Sequence, residues 1–490
     1  MPSTHCHTVH LHDNPASPTE RRPRAPGRGA RLMLVAMAVA GAFLIAHCTA
    51  SLPGWTREAA FMAAIFFLAA FLWATEALPL FATALLTIAL EIVLLANPGH
   101  WPDFGFATRV SPNYREIITA AADPILLLFL GGFLLARAAS KERVDRAMSS
   151  LLLRPFGQRP MVVAFGIMCV TATFSMWMSN TATTAMMLTL VTPMLAQVPA
   201  GDPFRKVLVL GVPFAANIGG IGTPIASPPN AVALSFLQKS GRSIPFLDWM
   251  LAALPLMIAL LVVAWAVLWF FHRPRATVLR LQPPVERLTG RAWFVVAVFT
   301  ITVALWMTDS WHGLPAAVVA LLPAVALTVT GVLDHRDVNS LEWNILLLIG
   351  GGIALGAGMQ FTGLDKILLG YLLAGGATPT LLIATLVGVT VLLGTFMSNT
   401  ATANLVIPIG MSSAAAFGGD FGVLTAYSIA LAAAMSMSLP ISTPPNTMAY
   451  ATREITTRDI AIPGTCVAVI GAVAVALLAK PMLQLWGIVP

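Results

Sequence analysis

"MSNTATT" at residues 178–184 and "MSNTATA" at 397–403 are one polar phrase written twice, each time inside a long apolar stretch. What surrounds them decides the fold. The chain has 490 residues, 57% of them hydrophobic and 10% charged, where a soluble domain carries about 25% charged residues. Its mean hydropathy is +0.82. Apolar runs of about 20 residues, enough to span a bilayer as a helix, recur along the sequence. The pattern is that of an all-α polytopic membrane protein, since a β-barrel would show short alternating segments instead.

Eleven transmembrane helices are expected, near 32–52, 57–75, 77–96, 123–140, 207–238, 246–271, 292–308, 314–333, 343–359, 421–452 and 462–487. Two more apolar stretches, 160–197 and 379–416, are too long for one span and hold the polar phrase at their middle. Each reads as a re-entrant helical hairpin that enters and leaves by the same face. The 28 Lys and Arg residues then sort about three to one toward one side, which the positive-inside rule makes cytoplasmic. The N-terminus is thereby placed in the cytoplasm and the chain in the cell inner (plasma) membrane, among membrane lipid.

The domain plan that follows has five parts. Residues 1–31 form a disordered cytoplasmic tail and 32–122 the N-terminal scaffold helices. A first inverted repeat spans 123–271, a cytoplasmic linker 272–291, and the second half 292–490. The tail carries His5, His7, His10 and His12, but a polar Arg- and Pro-rich composition favours disorder over a metal site. A signal peptide is the rival reading of 1–52. The apolar run is long for one, and His47 before Cys48 spoils a lipoprotein cleavage box. The net charge of +7 reports orientation here and implies no nucleic acid. Four scattered cysteines, Cys6, Cys48, Cys169 and Cys466, make no disulfide framework.

Three blocks recur in order. "ILLLFLGGFLL" (125–135) matches "ILLLIGGGIAL" (345–355), "SNTAT" at 179 matches 398, and "SPPN" at 227 resembles "TPPN" at 443. Their offsets fall between 216 and 220 residues, which coincidence does not supply. An odd number of crossings separates equivalent points, so the second copy is inverted. Inverted repeats with polar breaks at matching places point to a secondary transporter with its site near the midplane.

The breaks have a physical use. Ser and Asn are poor helix interiors and good N-caps. A helix ending near Met178 and another starting near Thr181 would expose bare carbonyls beside bare N–H groups. The carbonyls and side-chain oxygens suit a hard cation such as sodium, and the N–H end suits an anion. In the proline breaks, Ser227 or Thr443 can cap, with Pro228 or Pro444 in the first helical turn. No Arg, Lys, His, Asp or Glu lies within the phrases, so a dianion needs helix dipoles and co-bound cations. Simple helix packing by small polar residues is a poorer account of two symmetry-related copies.

Other polar residues carry less. Glu91 reads as snorkelling or paired, and Asp365 as lying outside the core, while Met178 and Met397 pack. No His or carboxylate is expected beside Ser179 or Ser398, which disfavours an intramembrane hydrolase. A passive channel would show flux without saturation. The chain is read as no enzyme, with no cofactor beyond coupling ions.

Ser179-Asn180-Thr181, Ser398-Asn399-Thr400, the two Pro-Pro-Asn breaks and "WATEALPLFATALL" (73–86) resemble the divalent anion–sodium symporters of the ion-transporter superfamily. The resemblance covers about residues 55–490. It implies a homodimer moving by an elevator mechanism and sodium-coupled uptake of di- or tricarboxylates such as succinate, malate and fumarate. Some relatives are sodium-independent exchangers or carry sulfate or another oxyanion. Carried over, the first cation site uses Ser175, Ser179 and Asn180 with backbone near Ala226. The second uses Asn399 with backbone near Met397 and Ser442. Substrate carboxylates meet Asn180, Thr181, Asn399 and Thr400, flanked by Ser227, Pro228, Thr443 and Pro444. This chain departs at Gly394, which stands where the match to Ser175 would place a hydroxyl, and at Ala226, where glycine is frequent.

Overall fold

A computed structural model describes residues 27–99, 112–275, 288–374, 376 and 378–490. Most of the expected tail and linker therefore lie outside the described residues. The first half holds α1 (Arg28–Thr49), α2 (Arg57–Thr75), α3 (Leu80–Leu90, continued by a π-helical turn Glu91–Ala96), α4 (Tyr114–Ala121), α5 (Ile125–Lys141) and α6 (Val144–Leu153). α7 (Pro160–Ser175), α8 (Asn180–Leu195), α9 (Phe204–Gly219), α10 (Pro228–Lys239) and α11 (Phe246–Phe271) complete it. The second half runs α12 (Gly290–Met307), α13 (Asp309–His312), α14 (Ala316–Val319), α15 (Leu321–Val329), α16 (His335–Asn339), α17 (Trp343–Thr362) and α18 (Leu364–Ala374). It ends with α19 (Pro379–Phe396), α20 (Asn399–Ser412), α21 (Ala414–Phe417), α22 (Gly419–Ala433), α23 (Pro444–Ala451) and α24 (Thr457–Leu485).

Among the described residues eight helices are long and apolar enough to cross a bilayer, and four shorter apolar helices accompany them. The molecule is an all-helical, multi-pass membrane protein. The apolar segments 207–238 and 421–452 are each two half-helices, α9 with α10 and α22 with α23, broken before the proline phrases. Each long polar-centred stretch is a helix–break–helix unit, α7–α8 or α19–α20.

The internal likeness reaches further upstream than the three sequence blocks. Trp73 on α2 donates its indole N–H to the Leu80 carbonyl at 3.1 Å. Trp306 on α12 donates to the Ala316 carbonyl at 3.0 Å. Each acceptor follows a Leu-Pro pair, Leu78-Pro79 or Leu314-Pro315, and each indole is fully buried. The glycines match as well. A Cβ on Gly131 would stand 2.7 Å from the Ala320 Cβ, and one on Gly351 would stand 2.4 Å from the Ala84 Cβ. Both are contacts that real side chains cannot make, so each glycine lets two helix backbones touch. α5 thus packs on α14–α15 and α17 on α3, each helix leaning on the other repeat.

The same exchange builds the centre. α8 and α9 pack against α23, while α20 and α22 pack against α10. Ion pairs close the outer ends of these crossings. The Arg205 Nε donates to Glu454 Oε2 at 2.8 Å and a second N–H of the same guanidinium reaches Oε1, a bidentate pair. Arg242 Nη1 meets Asp420 Oδ1 at 2.9 Å.

The pseudo-symmetry breaks on α17. Three successive glycines there admit three neighbours: Gly350 faces Ala121, Gly351 faces Ala84, and Gly352 faces the Asn404 amide, whose carbon a Cβ would approach to 1.8 Å. Asn404 Nδ2 donates to the Leu348 carbonyl at 3.1 Å, fixing α20 on α17. Gly132, the match of Gly352 on α5, meets nothing nearer than Ile225 at 3.8 Å. The centre is pressed on one repeat's helix and loose on the other's.

Two minor readings fail. Glu91 neither snorkels nor pairs: it is fully buried where α3 becomes π-helical, and neither carboxyl oxygen has a hydrogen-bond partner. Asp365 is buried too, accepting from the Ser412 hydroxyl at 2.9 Å. Tertiary contacts cover them, from α17 at Glu91 and from α20 at Asp365.

Candidate functional site

Each phrase does what cap chemistry requires. Ser179 Oγ accepts from the Ala182 N–H at 3.2 Å, and Ser398 Oγ accepts from the Ala401 N–H at 3.2 Å. α8 and α20 therefore start at Asn180 and Asn399, with their N-terminal N–H groups turned to the break. α7 closes at Ser175, leaving 176–179 as the first tip, and α19 closes at Phe396, leaving Met397 and Ser398 as the second. Met178 and Met397 are buried, as packing residues should be.

The first tip gathers oxygens. Ser175 Oγ lies 2.6 Å from Asn180 Oδ1 and 2.8 Å from the Ala216 carbonyl. A hydroxyl has one hydrogen to give. Side-chain and main-chain oxygens gathered this closely are the ligand type that a hard cation takes. Gly220 makes the approach possible, because a Cβ there would stand 2.8 Å from Asn180 Nδ2. Thr223 ties the tip down from the α9–α10 break by donating to the Met176 carbonyl. Thr181 is half-buried beside Asn180.

At the second tip, Asn399 Oδ1 is buried without a hydrogen-bond partner. Ser442 Oγ donates to the Thr395 carbonyl at 2.8 Å and accepts from the Leu439 N–H at 3.1 Å, joining the α22–α23 break to α19. Thr395 turns its own hydroxyl back to the Val391 carbonyl at 2.8 Å. Thr400 is buried on the first turn of α20.

The proline breaks differ in detail. Thr443 caps α23, accepting from the Asn446 N–H at 3.3 Å. Ser227 sits at the matching place on α10 but makes no capping bond, and its buried hydroxyl has no partner. Pro228 and Pro444 occupy the first helical turns, the former half-buried and the latter exposed. Ala226 is buried at the end of its break. Asn217 on α9 links the two halves, its Nδ2 donating to Thr443 Oγ1 at 3.2 Å.

Sequence reasoning missed three residues here. Asn230 and Asn446, the last letters of the proline phrases, staple their own breaks. Asn230 Nδ2 donates to the carbonyls of Gly220 and Thr223 at 2.9 and 2.8 Å. Asn446 Nδ2 donates to Met437 and Leu439, both at 3.0 Å. Their place in a repeated Pro-Pro-Asn was the available signal. The third is Glu342, just before α17, with Oε1 3.5 Å from Ser179 Oγ. A carboxylate does stand beside Ser179, and the contrary expectation fails because the two residues are 163 apart in sequence. The Ser179 hydroxyl remains engaged as a helix cap.

Comparisons with known proteins identify the family. A family model described as citrate transporter matches residues 70–432, with a second match at 310–489. An uncharacterized transporter of Haemophilus influenzae is 29% identical over 428 residues, 82% of this chain and 88% of that protein. The sodium-dependent dicarboxylate transporter SdcS of Staphylococcus aureus is 28% identical, covering 83% of this chain and 82% of that one. The inorganic phosphate transporter PHO87 of Saccharomyces cerevisiae is 32% identical over 69% of this chain. This chain spans 37% of the length of PHO87, and half that of an uncharacterized Schizosaccharomyces pombe transporter to which it is 28% identical. Among solved structures, the Alcanivorax borkumensis YdaH transporter shares the fold, with a TM-score of 0.52 at 14% identity over 84% of this chain and 99% of that one. The chain belongs to the citrate transporter family, within the ion-transporter superfamily.

Proposed function

We propose that this protein is a secondary active transporter that takes up C4-dicarboxylates, or related di- or tricarboxylates, together with sodium. The observation that carries the reading is the pairing of two capped hairpin tips with two proline breaks, none of whose site side chains is basic. Four helix N-termini, at Asn180, Pro228, Asn399 and Pro444, supply partial positive charge to substrate carboxylates. Asn180, Thr181, Asn399 and Thr400 orient them, and the unpartnered Ser227 hydroxyl is a further donor. Sodium ions supply the remaining charge from oxygen sets at the two tips: Ser175, Ser179 and Asn180 with backbone near Ala226, and Asn399 with backbone near Met397 and Ser442. Glu342 beside the first tip adds carboxyl oxygen to the surroundings of that cation. Each cation carried in excess of substrate charge adds about 2.3 kcal/mol of drive per 100 mV.

The unequal packing of α17 and α5 on the centre supports an elevator movement. Exchanging the contacts of the two repeats gives the arrangement facing the other side. A homodimer in the plasma membrane with a cytoplasmic N-terminus is part of the same proposal.

The named function of PHO87 favours one second reading, an oxyanion carrier for phosphate. Uptake of labelled succinate and of labelled phosphate into proteoliposomes, under inward sodium, potassium or proton gradients, separates the two. Sodium-stimulated succinate uptake is expected. Phosphate uptake that succinate does not inhibit favours the second reading. Stimulation by potassium equal to that by sodium removes sodium coupling.

A further inference from the structure

Aligning the two repeats on their phrases sets Ser175 opposite Gly394, and aligning them on their proline breaks sets Gly220 opposite Ser436. In the first repeat the hairpin arm carries the serine and the break carries the glycine. In the second the arm carries the glycine and the break carries the serine. We propose that this is a reciprocal exchange, and that Ser436 supplies from the α22–α23 break the hydroxyl ligand of the second sodium site that Gly394 cannot supply from α19. The proposal rests on the sodium-coupled reading above and adds a residue to it.

The space at the second tip fits. A Cβ on Gly394 would stand 2.3 Å from Ser436 Oγ and 2.8 Å from its Cβ. The same point lies 3.6 Å from Asn399 Oδ1. Ser436 thus fills the volume that a side chain at 394 would claim, a volume that the Asn399 amide also borders. It is fully buried. Its hydrogen goes to the Val391 carbonyl at 3.2 Å, which leaves the lone pairs of Oγ free to accept. Asn399 Oδ1 is buried without a partner.

The first tip has the mirror arrangement. There Ser175 Oγ donates within its cluster toward the Ala216 carbonyl and faces Asn180 Oδ1. A serine hydroxyl and an asparagine amide oxygen therefore accompany each tip, the serine coming from the hairpin arm in the first repeat and from the break in the second. Ser398 caps α20 as Ser179 caps α8, so it matches Ser179 and leaves the place of Ser175 to be filled. Ser442 Oγ both donates to the Thr395 carbonyl and accepts from the Leu439 N–H, and what singles out Ser436 is that its oxygen occupies the space of a side chain at Gly394. A filler role alone asks only for volume, which alanine at 436 would also provide. A ligand role asks for the oxygen.

The test is sodium binding to purified protein without substrate, read by labelled-sodium binding and by the shift of the thermal midpoint with NaCl against KCl. Wild type is expected to bind with a Hill slope approaching about two, one ion at each tip. Ser436→Ala should weaken one component by about 10–100-fold, the range for loss of a metal-site partner, and bring the slope toward one. Its midpoint in KCl should stay near that of wild type, since only an oxygen is lost. Gly394→Ser alone collides with Ser436 and lowers the midpoint. The double variant Gly394→Ser with Ser436→Gly restores the arrangement of the first repeat and should recover the second component. Identical sodium titrations for wild type and Ser436→Ala overturn the assignment while leaving sodium coupling standing. No sodium binding by wild type sinks both.

Discussion

Replacing Asn446 tests how the breaks are held open. Its Nδ2 donates to two carbonyls at 3.0 Å, those of Met437 and Leu439, across the loop between α22 and α23. Met437 is buried and Leu439 half-buried, so water does not reach at least the Met437 carbonyl when the donor goes. A buried group left without its partner costs about 1–3 kcal/mol. Asn446→Ala therefore loses about 2–4 kcal/mol, most of it at Met437 and less at the half-buried Leu439, a large part of the stability of any domain. Asn446→Asp is the sharper change. It keeps the shape, turns both donors into acceptors, and faces two carbonyl oxygens with a buried charge. Thr443→Val removes the cap of α23 and the acceptor of Asn217 Nδ2, and costs about 1–2 kcal/mol, since Asn217 Nδ2 keeps Asn446 Oδ1 as a second acceptor at 3.4 Å. Thermal midpoints of the purified variants should fall in the order wild type, Thr443→Val, Asn446→Ala, Asn446→Asp. Asn230 should repeat the Asn446 result, since it staples Gly220 and Thr223 in the same way. An aspartate variant as stable as wild type would refute the reasoning.

Further outcomes follow from the same geometry. Gly131→Ala and Gly351→Ala should each lower stability by about 1–3 kcal/mol through overpacking, and to similar extents because their contacts correspond. Gly388→Ala, where a Cβ meets nothing within 4 Å, should be neutral or gain about 0.5–1 kcal/mol. The Arg205 hydrogen bonds hold the Glu454 carboxyl below its ordinary pKa. That tie is complete above about pH 4.3, the ordinary glutamate value, and is lost as pH falls through the lowered folded value. Glu454→Gln should flatten the acid limb of the midpoint-against-pH curve and leave the neutral region lower than wild type. Asn180→Ala and Asn399→Ala should each abolish uptake while their elution profiles in detergent remain those of folded protein.

Much of the fold was legible because each decisive signal was local or repeated. Apolar runs gave the spans, and cap residues at 179, 398 and 443 marked helix starts to within a residue or two. The doubled phrase pointed to the internal repeat. The Leu-Pro pairs at 78 and 314 were equally repeated, but their offset differs from that of the other blocks, so the upstream match emerged only from the buried indoles of Trp73 and Trp306. What stayed hidden was set by tertiary contact. Glu342 lies far from Ser179 along the chain, and nothing near it signals that meeting. Glu91 reads as snorkelling or paired until α3, α17 and α2 close around it. Ser227 reads as a cap by type, yet its hydroxyl is left unpaired, and only coordinates separate it from Thr443. Gly394 reads as a missing ligand until Ser436 is seen to fill its space.

The most direct measurement is equilibrium binding of labelled succinate to the purified protein in NaCl and in KCl, for wild type, Asn180→Ala and Asn399→Ala. The account predicts saturable binding by wild type in sodium, little in potassium, and none by either variant in either salt. Succinate binding by wild type that is equal in the two salts, or that survives in both variants, would contradict a dianion held with sodium between the hairpin tips.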